Sequence, residues 1–243
     1  MDLNGRIVLV VGGAGGIGLG IARALAAEGC KVALADTNKE ALVDAVKTAG
    51  GKFPCVSRAC DITDREQVSK LFEWLSSELG PVDILVNSAG INIGDRMMSN
   101  ISPDDFDRVM EINTTGTFNC IYAALPVMRR KGSGLIVNIV SLAGKRVMLL
   151  AGMPYCVSKF AAGALGTFVN LEESANGVKV TNIYPGETNT PIIDKRPSPP
   201  PPEKRAKMLQ PEDIAACVVT IAKLPPRAVV PELIITPPHM MVG

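Results

Sequence analysis

The sequence predicts a doubly wound α/β domain, a parallel sheet of about seven strands with helices on both faces. Three observations predict it. Short β-branched runs alternate with amphipathic helical stretches along nearly the whole chain. The strand runs are apolar throughout, as strands buried on both faces require. Hydrophobic residues make up 47% of the 243, enough to cover a sheet from both sides, and such a length suits one large core. The chain is read as one domain, residues 1–243.

Arg6–Val11 (R-I-V-L-V-V) reads as the first strand, followed by the glycine-rich segment Gly12–Gly18 and a helix Leu19–Glu28 closed by Gly29. Lys31–Asp36 is the second strand, Asn38–Ala49 a helix, and Phe53–Arg58 the third strand. Thr63 and Glu66 make a capping-box pattern ahead of a helix Asp64–Leu79, which Gly80–Pro81 stops. Ile84–Asn87 is the fourth strand. Ser102 as cap and Pro103 at the first helical position start one long helix that runs to about Arg130. Leu135–Val140 is strand five, Tyr155–Ser174 a helix, Lys179–Tyr184 strand six, Glu212–Lys223 a helix and Glu232–Ile235 the last strand. Strand–helix alternation implies right-handed crossovers and parallel neighbours. One segment breaks the rhythm: Glu187–Pro211, with Pro197 and the run Pro199–Pro202. It leaves the carboxyl end of a strand, where ligands sit in such sheets, and reads as a lid over a substrate.

Composition excludes several function classes. A net charge of +1 argues against a nucleic-acid surface. None of the six cysteines forms a CxxC pair and the one histidine is His239, so a zinc site is not expected and reduced thiols in the cytoplasm are. No cationic leader precedes the first apolar run, and the uncharged stretch Ile7–Ala22 holds six glycines, which argues against a membrane helix.

The glycine segment Gly12-Gly13-Ala14-Gly15-Gly16-Ile17-Gly18 lies between a strand and a helix, where a tight turn lets backbone N–H groups approach a pyrophosphate at the helix N-terminus. Asp36 ends the second strand twenty residues after Gly16, where a carboxylate accepts hydrogen bonds from ribose hydroxyls. Together these predict a Rossmann-type dinucleotide site. The expected cofactor is NAD, because a carboxylate there repels the 2′-phosphate of NADP.

From about residue 5 to 223 the sequence resembles the compact short-chain dehydrogenases/reductases. Their motif T-G-x-x-x-G-x-G is matched at Gly12, Gly16 and Gly18, with Val11 in place of Thr, and Gly15 fills a position where NADP-preferring relatives often carry a base. Asp61-Ile62 looks like the family's adenine contact. Asn87-Ser88-Ala89-Gly90 resembles its N-N-A-G turn, with Ser88 replacing the second Asn. Pro185-Gly186, with Thr188 and Thr190 following, looks like its P-G-x-x-x-T, whose threonine holds the nicotinamide carboxamide. The resemblance implies that these residues, with Ile17, Tyr155 and Lys159, bind the cofactor.

Tyr155 and Lys159 stand four apart on a helix and so share a face. A nearby ammonium favours the phenolate, which predicts a depressed Tyr155 pKa. With Ser141 at the end of strand five and Asn113 in mid-helix, they match the family's catalytic set. The resemblance implies that Tyr155 is general acid and base, that Ser141 holds the substrate oxygen, that Lys159 also binds the nicotinamide ribose, and that Asn113 holds a relay water. Ser141 and Tyr155 are fourteen apart where the family commonly has thirteen, so the loop Leu142–Pro154 is expected to reshape the substrate pocket.

The implied activity is interconversion of a secondary alcohol and a ketone or aldehyde. Ile91, Ile93, Met97, Val147, Met148, Leu149, Leu150, Met153, Thr188, Ile192 and Ile193 are the candidate pocket wall, mostly apolar, which points to a hydrophobic or cyclic substrate. Lys145 and Arg146 are candidates for an anionic group, and Glu187 stands where the family usually has apolar or small polar residues. A catalytically idle NAD-binding scaffold is the alternative, although such proteins usually lose part of the catalytic set. Epimerase or dehydratase chemistry is a third reading, but relatives that do it generally carry a longer C-terminal domain. A homotetramer, or failing that a dimer, is expected by the same resemblance, through the long helices Asp104–Arg130 and Tyr155–Ser174.

Overall fold

The computed structural model describes residues 1–51 and 55–240. Seven strands form one parallel sheet: β1 (Ile7–Val11), β2 (Lys31–Asp36), β3 (Val56–Ala59), β4 (Ile84–Asn87), β5 (Gly134–Ile139), β6 (Val178–Pro185) and β7 (Glu232–Ile235). Their order is β3-β2-β1-β4-β5-β6-β7. The helices are α1 (Gly16–Ala27), α2 (Lys39–Thr48), α3 (Arg65–Glu78), α4 (Pro103–Met110), α5 (Thr117–Lys131), α6 (Met153–Glu173), the one-turn α7 (Pro202–Arg205) and α8 (Pro211–Ala222).

The apolar strands divide their side chains between two cores, because successive residues of a strand point to opposite faces. Val8 and Val10 of β1 pack with Ile21 and Leu25 of α1, Leu42 of α2 and Ile214 and Val218 of α8. Leu9 and Val11 pack on the other face with Leu71 and Leu75 of α3 and Ile121 and Met128 of α5. A side chain at Gly20 would strike Pro211, so this glycine lets α1 and α8 lie close. On the other face, Arg129 of α5 grips the buried carboxylate of Glu173 at the end of α6, with Nε 2.9 Å from Oε2.

Four elements depart from the sequence expectation. Helix α1 starts at Gly16, three residues before the expected Leu19, so the glycine segment supplies the first helical turn. The cap of α3 is Asp64, whose carboxylate accepts from the N–H groups of Glu66 and Gln67, and Thr63 instead donates to Asp61. The expected third strand begins with Phe53, which lies outside the described residues; its described part is Val56–Ala59. The long helix expected from Ser102 is broken between α4 and α5 by a π-helical turn, Glu111–Gly116. Such turns inside α-helices are rare and often fall at functional sites, and this one carries Asn113.

The winding reverses at β1, with β2 and β3 on one side of it and β4 to β7 on the other. The loops at the carboxyl ends of β1 and β4 therefore part there and leave a crevice.

Candidate active site

A cleft of about 860 Å³ opens at those carboxyl ends. Gly12, Gly15, Gly16 and Ile17 form one wall, with Asp36 from the end of β2, Asp61 and Ile62 after β3, and Ala89 and Gly90 after β4. Ser141, Tyr155, Lys159, Pro185, Gly186, Thr188 and Thr190 line the same cleft, with Thr190 packed against Gly16. Three residues expected at the site lie behind this lining. Gly18 is buried in the first turn of α1, where a Cβ would fall 2.1 Å from the Gly12 carbonyl oxygen. Asn87 belongs to a ladder of amides across three strands: its Nδ2 donates to Asn138 Oδ1 at 2.9 Å, and Asn138 Nδ2 donates to Asn182 Oδ1 at 3.0 Å. Asn113 is 1% exposed and reaches the cleft only through its partners. Helix packing sets Gly18 and Asn113, and parallel register sets Asn87, behind the lining rather than in it.

The residues present fit a dinucleotide. No side chain caps the amides at the start of α1. Gly12 has a φ of +74° and lies so close to the β4 loop that a Cβ would come within 2.5 Å of Ala89 N. A Cβ at Gly15 would meet nothing within 4 Å. The Asp36 carboxylate accepts from Ala14 N at 3.3 Å and from Asn38 N at 3.2 Å, which holds it at the edge of the glycine turn. The Asp61 carboxylate turns back on Thr63, accepting from its N–H at 2.9 Å and its hydroxyl at 2.8 Å.

Ser141 Oγ accepts from Ala143 N at 3.1 Å. Lys159 Nζ donates to the Ile139 carbonyl at 2.9 Å and stands 5.6 Å from the Tyr155 ring centroid. Asn113 Oδ1 accepts from Ile91 N, and its Nδ2 donates to Ile91 O and to Ser158 Oγ. Burial pushes the Tyr155 phenol up to about 12, with the Ser141 hydrogen bond pulling the other way. Burial also brings the Lys159 ammonium down to about 8. The direction is opposite to the depression expected from the lysine spacing, because desolvation of the phenol dominates.

The apolar wall is smaller than expected. Ile91, Met148, Leu150, Ile192 and Ile193 line the cleft, whereas Val147 and Leu149 are 80% and 78% exposed. Ile93, Met97 and Met153 are not part of the lining, nor are Lys145 and Arg146. Lys145 pairs instead with Glu232 at 2.6 Å. Three arginines that the sequence did not single out do line it: Arg96, Arg108 and Arg196. An isolated arginine looks like any solvated charge, so no sequence signal marks them. Glu187 also finds its explanation. It binds Arg196 of the 187–211 segment at 2.8 Å and His239 near the C-terminus at 3.4 Å, tying both to the strand β6 exit.

Among the described residues no cluster of His, Cys, Asp or Glu suits a metal ion, and no helix is long and apolar enough to cross a membrane.

A family model described as short chain dehydrogenase matches residues 6–200. The chain is 34% identical over 241 residues to glycine betaine reductase ATRR of Emericella nidulans, spanning 97% of this chain but 19% of that protein. It is 30% identical over 239 residues to an uncharacterized oxidoreductase of Staphylococcus saprophyticus, covering 98% of this chain and 99% of the relative. Among solved structures, an alcohol dehydrogenase from the archaeon Thermococcus sibiricus, complexed with 5-hydroxy-NADP, aligns with a TM-score of 0.85 at 26% identity, over 98% and 99% of the two chains.

Proposed function

The chain belongs to the short-chain dehydrogenase family, an oxidoreductase family with the Rossmann-like fold, and from that premise we propose that it is an NAD(H)-dependent enzyme interconverting a secondary alcohol and a ketone or aldehyde. The observation that carries the reading is the convergence of Ser141, Tyr155 and Lys159 on the cleft that the glycine turn also lines, with Asn113 bonded to Ser158 behind it. A bound nicotinamide cofactor supplies the hydride acceptor or donor. The amides of Gly15 to Ile17 would take its pyrophosphate, Asp36 its adenosine ribose and Thr190 its carboxamide. Gly18 and Asn87 shape the turn and the strand end from behind.

In reduction, the substrate oxygen accepts hydrogen bonds from Ser141 and Tyr155, and Tyr155 gives it a proton. A phenol pushed up to about 12 is protonated at neutral pH, which suits that direction. In oxidation the proton returns to Tyr155, and the Lys159 ammonium stabilises the charge that develops. The hydrogen bonds of Asn113 fix Ser158, one position before Lys159, and so orient the relay. The apolar wall takes the body of a hydrophobic or cyclic substrate, and the 187–211 segment, tied by Glu187, serves as its lid within a single domain.

Six free cysteines, five of them buried, accord with a reducing compartment, and we place the protein in the cytoplasm. Initial rates of NADH oxidation against a panel of ketones and aldehydes test the activity. Absence of turnover with any of them, in a protein that binds NADH, would make the idle-scaffold reading the correct one.

A further inference from the structure

We propose that Arg96 is the specificity residue of the cleft and receives the carboxylate of the substrate, which makes the preferred substrates hydroxy acids and oxo acids. The inference rests on the dehydrogenase reading above and narrows its substrate class.

Arg96 lines the cleft and is 4% exposed. Arginine is almost never this buried without an acidic partner, and none of the ion pairs among the described residues includes Arg96. The adjacent acid, Asp95, accepts instead from Asn100 at 3.0 Å. Burial disfavours the guanidinium charge, and the neighbouring cation Arg196 adds to that. Arg196 has its own acid in Glu187. The positive charge of Arg96 is therefore not compensated by the protein.

The donors point to the kind of anion. A guanidinium has five N–H groups. Nε donates to Gly94 O at 3.3 Å, Nη1 to Leu150 O at 3.3 Å and Nη2 to Lys195 O. One N–H remains on each terminal nitrogen, the number of donors that a bidentate carboxylate takes. The three carbonyls come from the loop after β4, the loop before α6 and the 187–211 segment, so the side chain stands where the substrate loops meet.

Its position relative to the chemistry follows from Gly152. This residue has a φ of +83°, and a Cβ there would lie 2.5 Å from Arg96 Cβ. The stem of Arg96 therefore packs on the entry to α6, three residues before Tyr155, and no side chain caps that helix end. The helix dipole adds to the positive potential there. An acid seated on Arg96 would carry its reacting oxygen toward Tyr155 while its apolar part meets Ile91 and Leu150.

The test compares α-, β- and γ-oxo acids with their methyl esters, using the full chain and NADH, in wild type and Arg96→Gln. The acid of the right length should exceed its ester in kcat/KM by about ten- to a hundredfold, the worth of charge-assisted hydrogen bonds. Arg96→Gln should bring that ratio close to unity by raising KM for the acid. Esters turned over as well as acids, or a variant that slows both classes alike, would overturn the proposal and leave Arg96 a rivet between loops. Calorimetric titration of the NADH complex with unreactive butanoate and butanamide separates this from the underlying reading. Butanoate binding that Arg96→Gln abolishes upholds the anion site even if no oxo compound turns over. Equal binding of the amide overturns it.

Discussion

Asn113 and Ile91 hold each other by two hydrogen bonds: Ile91 N donates to Asn113 Oδ1 at 2.8 Å, and Asn113 Nδ2 donates to Ile91 O at 3.0 Å. The same Nδ2 donates to Ser158 Oγ at 3.0 Å. One amide in a π-helical turn thus joins the loop after β4 to the helix that carries Tyr155 and Lys159. Asn113→Ala leaves the Ile91 N–H and C=O without these partners, at about 1–3 kcal/mol per group. Urea unfolding should show the loss, and kcat should fall with it. A variant as stable as wild type would mean that water replaces the amide.

Tyr155→Phe removes the proposed proton donor and leaves the ring in place. Turnover should drop by about 10²–10⁴-fold, while NADH affinity, measured by fluorescence titration, stays within a few-fold. More than a tenth of wild-type turnover, with chemistry rate-limiting, contradicts the role.

Cofactor preference follows from Asp36. Unit charges about 4 Å apart at an effective dielectric of about 20 interact by about 4 kcal/mol. Solvent reduces this, and a net penalty of about 2–3 kcal/mol against a 2′-phosphate corresponds to roughly thirty- to 150-fold in affinity. NADH should therefore exceed NADPH in kcat/KM on one substrate. Asp36→Ala with Thr37→Arg should shift the preference toward NADPH by removing the repulsion and adding a partner. Equal efficiency in wild type refutes the assignment, and the NADP analogue bound to the archaeal relative makes this comparison pointed.

Lys159 sets a pH dependence of stability. Its folded pKa of about 8 lies below the ordinary 10.5, so between those values the unfolded chain binds more protons. Stability then rises with pH across that window. Relative to Lys159→Met, the wild-type Tm should improve from pH 8 to pH 10.5. A constant difference between the two proteins over this range would show that Lys159 keeps its ordinary pKa.

The outer faces of α5 and α6 carry the case for assembly. Phe118 and Tyr122 stack at 5.8 Å, and Tyr122, Phe168 and Leu171 are 68%, 65% and 73% exposed. An apolar face of this kind marks an interaction surface. Light scattering at micromolar concentration should give a homotetramer, or failing that a dimer, and Tyr122→Glu with Phe168→Glu should dissociate it. A wild-type monomer contradicts the expectation.

The sequence by itself determined the strand order of events along the chain. The runs Lys31–Asp36, Ile84–Asn87 and Glu232–Ile235 are strands with the expected bounds, because continuous apolar, β-branched segments are a local signal. The glycine turn, Asp36 and the Tyr155–Lys159 pair are likewise short local spacings, and the structure brings them onto one cleft. Only the tertiary structure decided what depends on distant partners. The long helix reads as uninterrupted because each half has good helical residues, whereas in the structure a π turn carries Asn113 to Ile91, more than twenty residues away. Asn87 matched a motif, yet register with Asn138 and Asn182 buried it in a ladder. Glu187 had no local explanation until Arg196 and His239 met it. The Tyr155 pKa went up, not down, because desolvation depends on everything packed around the phenol and not on the one lysine four residues on. Arg96 became visible only when three loops closed around its guanidinium and brought no acid with them.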